Sequence, residues 1–255
     1  MFIGVAPMQL SSFPALQQLR ERQLLWLGGE KPASTARSIT ALSTGFAALD
    51  KALQGGWPTS GVVELSVTHI GIGEMLLVLP VLHQLAEAEL TKYRQAEQTK
   101  PRLQCWLNPP EVLLPHNFSQ AMQAQNFIVR GHTHAETVWA AEQVLKSAAV
   151  SALVAWLPSL HMAQAKRLQI AAKETQTLVF ILTQQRDVAT ALPISLRMRV
   201  GAADTGLNLD IFKRQHARPV APFTLGLAEA WPQLFSSGEP STTNILTLPN
   251  ANVHA

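Results

Sequence analysis

The chain has few of the residues that several common kinds of protein need. Its 255 residues include a single cysteine, Cys105. An internal disulfide framework is therefore excluded, and a reducing compartment is expected. No apolar run reaches about 18 residues, and the N-terminal segment lacks the pattern of a signal peptide. Charged residues make up 15% and hydrophobic residues 47%, which excludes a disordered chain. We therefore expect a globular protein of the cytoplasm with no membrane partner.

The chain also has a low net positive charge and few aromatic residues of the kind that stack on nucleic-acid bases. The net charge is +3, and the chain has one tyrosine, so the signal for direct nucleic-acid binding is weak. Six basic residues could still form a surface that contacts DNA, or they could belong to ordinary solvated faces of a helix and of edge strands. They are Lys166, Arg167, Arg197, Arg199, Lys213 and Arg214.

What the sequence does contain is an alternation of apolar runs with amphipathic segments. Strands are predicted at 62–67, 103–107, 127–130, 152–157 and 177–183. Helices are predicted at 11–27, 74–90, 117–125, 134–147 and 161–174, with a shorter helical piece inside 44–61. Pro80 is expected to kink the 74–90 helix or to end its first segment. Segments 196–200 and 207–214 have the alternation of paired antiparallel edge strands. We predict an α/β fold with a mostly parallel sheet, helices on both faces and antiparallel strands at the C-terminal edge.

A glycine-rich turn follows the strand predicted at 62–67, where a phosphate-binding loop would lie. That loop has the pattern G-x-x-x-x-G-K-[ST]: its backbone N–H groups surround the phosphates, the lysine supplies charge and the hydroxyl binds Mg²⁺. Here Gly71 and Gly73 are followed by Glu74 and Met75 at the lysine and hydroxyl positions. A carboxylate repels a triphosphate, and methionine is a poor ligand for Mg²⁺. The sequence favours a strand–helix turn over a working nucleotide site.

Other patterns that could carry chemistry have simpler structural explanations. His132, His134 and Glu136 could ligate a metal, but Thr133 and Glu136 also have the spacing of a helix capping box. Cys105 lies within an apolar run and is predicted to fill the core rather than to act as a nucleophile. No serine lies in a G-x-S-x-G elbow, so a hydrolase triad is not supported. We predict neither a metal site nor a catalytic site.

The segment from Thr44 to Glu64 resembles the opening of the RecA ATPase core. It carries the pattern TG-x₃-LD-x₂-L-x-GGWP-x₂-G-x₂-E. Later, VFILTQQR (179–186) is similar to the strand whose terminal glutamine, here Gln184, senses the γ-phosphate, and FKRQHARPVAPF (212–223) resembles the closing basic strand pair. Within RecA-like proteins the chain resembles the ImuA family, accessory proteins of SOS-induced translesion DNA synthesis. The motifs that carry this likeness are GIGEMLLVLP (71–80), CWLNPP (105–110), WAAEQVLKSAAVSALVAWLP (139–158) and KRLQIAA (166–172).

The resemblance covers about 15–230 and implies a RecA-like core over 39–235. An N-terminal helix and linker (1–38) would precede this core, and a flexible polar tail (236–255) would follow it. It also implies binding to RecA and to an error-prone Y-family-type polymerase subunit, which could bring the chain to DNA indirectly; a direct DNA contact stays open, and no cofactor is expected. The acidic residue after the second strand is missing, and Trp156 or a neighbour replaces the Mg²⁺-side aspartate, so we expect no ATP hydrolysis.

Two alternatives to this function stay open from the sequence. The cell-division inhibitor SulA resembles the central part of the chain, roughly 62–200, which leaves a role as an inhibitor of the tubulin-like division protein. That alternative is weakened because the short inhibitors lack the opening segment and the closing basic strand. The other alternative is a residual ATPase that uses unconventional residues.

Partner contacts are expected at two places. Leu24, Leu25 and Trp26 lie ahead of the linker and form either a docking strip or a face packed on the protein's own core. Lys213 and Arg214, near the end of the core, are the second candidate for partner binding.

Overall fold

The structure is a computed structural model that describes residues 41–97, 99–110, 120–123, 125–184, 191–214 and 220–227. The helix predicted at 11–27, with Leu24, Leu25 and Trp26, lies outside the described residues. The tail predicted at 236–255 lies outside them as well.

A mixed eight-stranded sheet runs through the described part of the chain in the order β3-β2-β4-β5-β1-β6-β7-β8. The strands from β3 to β6 in this order pair in parallel, whereas β7 is antiparallel to both of its neighbours, β6 and β8. Their bounds are β1 (Gly61–Val67), β2 (Leu103–Leu107), β3 (Asn126–Val129), β4 (Val150–Trp156), β5 (Leu178–Thr183), β6 (Leu196–Ala203), β7 (Gly206–Arg214) and β8 (Phe223–Gly226). The predicted α/β fold, with a mostly parallel sheet and antiparallel strands at the C-terminal end, is confirmed.

Helices pack on both faces of this sheet. They are α1 (Ala47–Leu53), α2 (Glu74–Arg94), α3 (Gln120–Gln123), α4 (His134–Lys146) and α5 (Met162–Glu174). One core cluster joins buried residues of α1 and α2 to one sheet face, and a second joins α4 and α5 to the other. Val63 belongs to the first cluster and Val62 to the second, since successive strand residues point to opposite faces.

The opening segment is held together by a carboxylate and an aromatic contact. The Asp50 carboxylate of α1 accepts hydrogen bonds from the Thr44 amide (2.7 Å) and from the Ser43 hydroxyl (2.8 Å). Trp57 is fully buried, with its ring edge-on to Phe180 of β5 at 5.2 Å. The segment that carries the RecA-like pattern is therefore part of the core packing.

Helix α2 is not ended by Pro80, which excludes one of the two predicted effects of this proline and leaves the kink as the other. The helix continues through Pro80 to Arg94, beyond the expected end at 90. Proline in a helix interior removes one backbone donor, and its ring takes up space on the helix surface. Gly45 lies against that ring, since a Cβ there would be 2.9 Å from the Pro80 Cβ.

The prediction that 196–200 and 207–214 are edge strands is wrong in position. They pair antiparallel as expected, but β6 also pairs in parallel with β1, and β7 also pairs with β8. Both strands therefore lie inside the sheet.

Among the described helices, none has both the length and the apolar character needed to cross a membrane.

Candidate functional site

The turn between β1 and α2 occupies the position where a phosphate-binding loop would begin. It leaves the carboxyl end of β1, and residues 68–71 are exposed. Gly71 and Gly73 have φ angles of 90° and 102°, in the left-handed region that favours glycine. Helix α2 starts at Glu74, so its first amide groups and its positive dipole end lie beside this turn.

Glu74 uses its carboxylate within the turn itself. Its side chain is buried, and both carboxylate oxygens lie 3.1 Å from the Gly71 backbone nitrogen, which donates to them. Negative charge at a helix N-terminus is electrostatically favourable. The turn amide that a phosphate could have bound is therefore already paired with an anion of the chain.

Met75 and Trp156 stand where magnesium chemistry would require a hydroxyl and a carboxylate. Met75 is half-buried and packs against the core cluster that contains α2. Trp156 ends β4 and stacks on Trp106 of β2, with ring centroids 6.2 Å apart. Both side chains supply packing surface instead of oxygen ligands.

Asn108 follows β2, where the sequence lacks the acidic residue that would activate water. Its Oδ1 accepts from the Gly131 amide (2.7 Å), and its Nδ2 donates to the Thr137 hydroxyl (2.9 Å). The residue therefore ties the end of β2 to the start of α4.

Gln184, the predicted γ-phosphate sensor, directly follows β5 and is exposed.

A buried ion pair joins β1 to β6 in the middle of the sheet, and sequence reasoning did not find it. Arg197 Nε donates to Glu64 Oε2 at 2.5 Å, with 2% and 1% of the two side chains exposed. Thr183 donates to the other Glu64 oxygen at 3.3 Å, and the Arg197 guanidinium lies 5.0 Å from the centre of the Phe212 ring. Arg197 therefore belongs neither to a basic surface nor to a solvated face, so both predicted readings of this residue are wrong. The available signal was the single charged residue Glu64 inside the apolar run VVELSV, together with the two arginines of LRMRV.

Lys213 and Arg214 are bound to main-chain carbonyls of their own fold. Lys213 Nζ donates to the Leu192 carbonyl, and Arg214 Nη1 donates to the Ala52 carbonyl of α1 at 2.5 Å. Burial, with the nearby charge of Arg197, lowers the pKa of Lys213. Both residues are half-buried, which leaves part of each side chain for a partner.

These two residues are separated along the sheet from the Gly71–Glu74 turn. Lys213 pairs with Arg197, and Arg197 pairs with Glu64, three residues before the end of β1. The turn begins only after that end. The structure therefore does not bring Lys213 and Arg214 together with the Gly71–Glu74 turn in one site.

The histidine pattern around α4 is explained by capping. The Thr133 hydroxyl accepts from the Glu136 amide, and the Glu136 carboxylate accepts from the Thr133 amide, as in the predicted capping box. His134 Nε2 instead lies 3.2 Å from Gln164 Nε2 of α5. Across the described ranges, no three His, Cys, Asp or Glu side chains are grouped closely enough to hold a metal ion.

Cys105 lies in β2 and is fully buried. Burial raises the pKa of its thiol to about 12, so the thiol is protonated at neutral pH. A buried, protonated thiol is a poor nucleophile, which agrees with the predicted core-filling role.

The chain matches no family model and no curated protein.

Proposed function

We propose that the chain is a non-catalytic, RecA-like accessory protein of the SOS response. In this role it would support translesion DNA synthesis in the cytoplasm by binding RecA and an error-prone Y-family-type polymerase component. The single observation that carries the proposal is the contact between the Glu74 carboxylate and the Gly71 amide at 3.1 Å. It places a fixed negative charge where a nucleotide phosphate would have to bind.

The loss of charge at this turn argues against phosphoryl transfer. Catalysis of that reaction consists largely of positioning positive charge and metal around the phosphates. Glu74 bonds its own turn, Asn108 bonds α4, and Trp156 stacks on Trp106. The three side chains thus have structural roles, as we expect in a protein that no longer hydrolyses nucleotide.

The retained fold supports a binding role. The opening segment is packed through Asp50 and Trp57, and the sheet ends in antiparallel strands, which agrees with the core that the resemblance implies. A fold of this kind without nucleotide chemistry is most simply explained by surfaces that other proteins bind. Because fold alone does not establish function, this binding role requires both biochemical and cellular tests.

The biochemical test measures phosphate release from ATP by the purified chain, with and without Mg²⁺. We expect no turnover above background. The Glu74→Ala variant is also expected to be inactive, because Asn108 and Trp156 still lack the required carboxylates. Turnover by the natural chain that Glu74→Ala abolishes would refute the non-catalytic part of the proposal.

The cellular test compares a deletion strain with its parent after DNA damage. We expect the deletion to lose damage-induced mutagenesis while cells divide normally, and a plasmid copy carrying Glu74→Ala to restore mutagenesis. Filamentation on overproduction, with mutagenesis unaffected by the deletion, would instead establish the SulA-like alternative.

A further inference from the structure

The starts of α4 and α5 meet through a histidine and a glutamine side chain. His134 is the first residue of α4, and its Nε2 lies 3.2 Å from Nε2 of Gln164 in the first turn of α5. The ring of His161, which precedes α5, lies edge-on to the His134 ring with centroids 6.1 Å apart. The His134–Gln164 contact therefore joins two helices that cover the same face of the sheet.

The orientation of the Gln164 amide fixes where the hydrogen of the His134 ring lies. Gln164 Oε1 accepts from the His161 backbone amide at 3.0 Å, so the side-chain oxygen is committed to that N–H group. The part of Gln164 that faces His134 is therefore its NH₂ group, which can only donate. His134 Nε2 must accept, and this requires a neutral imidazole with its hydrogen on Nδ1.

A proton on Nε2 would leave the His134 ring without an acceptor for either N–H group. Nδ1 is buried and has no hydrogen-bond partner in the described part of the chain. The imidazolium would thus hold one N–H group in a buried position and direct the other at the NH₂ group of Gln164. A charged donor without an acceptor is costly to bury. The two helix N-termini add to this cost, because positive charge is unfavourable there.

The carboxylates of α4 are engaged with other partners. Glu136 accepts from the His132 and Thr133 amides, and Glu142 pairs with Arg167 of α5. In the described part of the chain, no acidic side chain forms an ion pair with His134. The other charged and titratable side chains of α4 and of the elements packed against it are Lys146 in α4, Lys166, Lys173 and Glu174 in α5, His161 before α5, and Cys105 in β2. Glu174 ends α5, about 15 Å along the helix from Gln164.

We infer that the His134–Gln164 contact is a pH-sensitive connection between α4 and α5. At higher pH, Gln164 donates to the neutral ring and holds the first turn of α5 against α4. As the pH falls from about 8 to about 5, the range in which histidine side chains ordinarily change charge, His134 gains a proton and the contact opens. The stabilisation is thus present at higher pH and is lost on acidification. The inference goes beyond the proposed function, because it depends only on contacts within the described fold.

The first test determines the position of the ring hydrogen directly. Long-range ¹H–¹⁵N NMR of the full chain, with the His134 signals identified by their loss in His134→Leu, distinguishes the two ring nitrogens. We expect a protonated Nδ1 and an unprotonated Nε2 at pH 8. A hydrogen on Nε2 at pH 8 would overturn the inference.

The second test follows the first turn of α5 during acidification. The Ala165 amide, which donates to the His161 carbonyl at 2.8 Å, reports its opening by hydrogen exchange. After correction for the intrinsic effect of pH, we expect protection to fall about tenfold between pH 8 and pH 5, of the order of one hydrogen bond. In His134→Leu, protection should be the same at both pH values, because the connection is absent throughout.

Gln164→Glu separates this inference from a general effect of acid. A glutamate can still accept from the His161 amide, and it places an oxygen acceptor opposite His134. It should therefore pair with the protonated ring and keep its protection at pH 5. His69→Asn is the matched control: His69 is exposed in the turn after β1, so the natural pH dependence should remain.

Three outcomes would overturn the inference. One is protection at Ala165 that does not change between pH 8 and pH 5 in the natural chain. Another is an equal loss of protection in Gln164→Glu. The third is a loss that extends equally to the amides of β1, because the whole fold would then open and not the start of α5 alone. Circular dichroism at both pH values provides an independent check that each variant remains folded.

Discussion

At the scale of single residues, Glu64 and Arg197 form a fully buried ion pair. Removing two charges from water costs free energy that only close pairing and further hydrogen bonds offset. Here the pair is 2.5 Å apart, Thr183 supplies a second hydrogen bond to Glu64, and Phe212 lies against the guanidinium. Removing one partner leaves the other charge buried without this ion pair.

We predict that Arg197→Met or Glu64→Leu alone lowers the free energy of unfolding by about 3–5 kcal/mol. The double variant Glu64→Leu/Arg197→Met should recover most of that loss, because neither charge then remains buried. Urea unfolding followed by circular dichroism measures all three values as a double-mutant cycle. Additive losses in the double variant would show that the two side chains do not interact.

The buried Cys105 thiol is expected to lower the stability of the protein at alkaline pH. Its thiol pKa is raised from 9.0 to about 12, so above pH 9 the unfolded thiol ionises while the folded one keeps its proton. The folded state then binds more protons than the unfolded state, and stability falls as pH rises. Relative to Cys105→Ala, we expect the unfolding free energy of the natural chain to drop by about 1.4 kcal/mol between pH 8 and pH 10.

The reference variant cancels the titration of other groups in this measurement, and the difference between the two proteins should be constant from pH 6 to pH 8. A difference that stays constant up to pH 10 would contradict a raised thiol pKa. Rapid reaction of the native protein with a thiol reagent at pH 8 would do so as well.

At the scale of elements, several strands and the helices α4 and α5 were predicted to within one residue, but the end of α2 was not. The runs 103–107 and 177–183 match β2 and β5 to within one residue, because apolar runs bounded by polar residues mark buried strands. The end of α2 was predicted too early, since the charged segment after 90 still completes a helical turn through Arg94. The close packing of Pro80 on Gly45, which is distant in sequence, could not be inferred from the helix alone.

Gly45 and Gly71 have similar φ angles but different surroundings. Substitutions at these two positions therefore distinguish the free-energy cost of backbone strain from that of a steric contact. Gly45 has φ 84° and Gly71 has φ 90°, but a Cβ at Gly45 would meet Pro80 at 2.9 Å, whereas one at Gly71 would meet nothing within 4 Å. We predict that Gly71→Ala costs about 1–2 kcal/mol from backbone strain. Gly45→Ala should cost clearly more, because α2 must also shift. Equal losses in thermal or urea unfolding would show that Pro80 does not depend on the space at Gly45.

At the scale of the whole molecule, the strand order is what sequence reasoning could not supply. Alternating strands and helices predicted a mostly parallel sheet, and that is confirmed. The pairing of β1 with β6 brings together Glu64 and Arg197, which are 133 residues apart in the chain. The absence of a lysine before α2 could be read from the sequence, but the bond from the Gly71 amide to Glu74 required coordinates.

The last prediction concerns which part of the molecule binds RecA under the proposed function. The segment 236–255 is polar, and Ile245, Leu246 and Leu248 form its only apolar cluster, which is too small for the buried centre of a stable interface. Leu24, Leu25 and Trp26 form an apolar strip ahead of the core, and tryptophan is a typical anchor of protein interfaces. We therefore expect a chain that ends at Phe235 to bind RecA as the full chain does. We expect a chain that begins at Ile39 to lose that binding.

Affinity is measured by titration calorimetry with purified RecA, and circular dichroism must show that both shortened chains keep the α/β fold. Binding that is lost on removal of 236–255 would refute docking through the body of the protein. If the chain beginning at Ile39 binds normally, the N-terminal strip is not the contact, and RecA must be held by the core itself. The partly exposed Lys213 and Arg214 are then the next residues to replace, each by alanine, because burial on one side and main-chain bonds to Leu192 and Ala52 hold them in fixed positions.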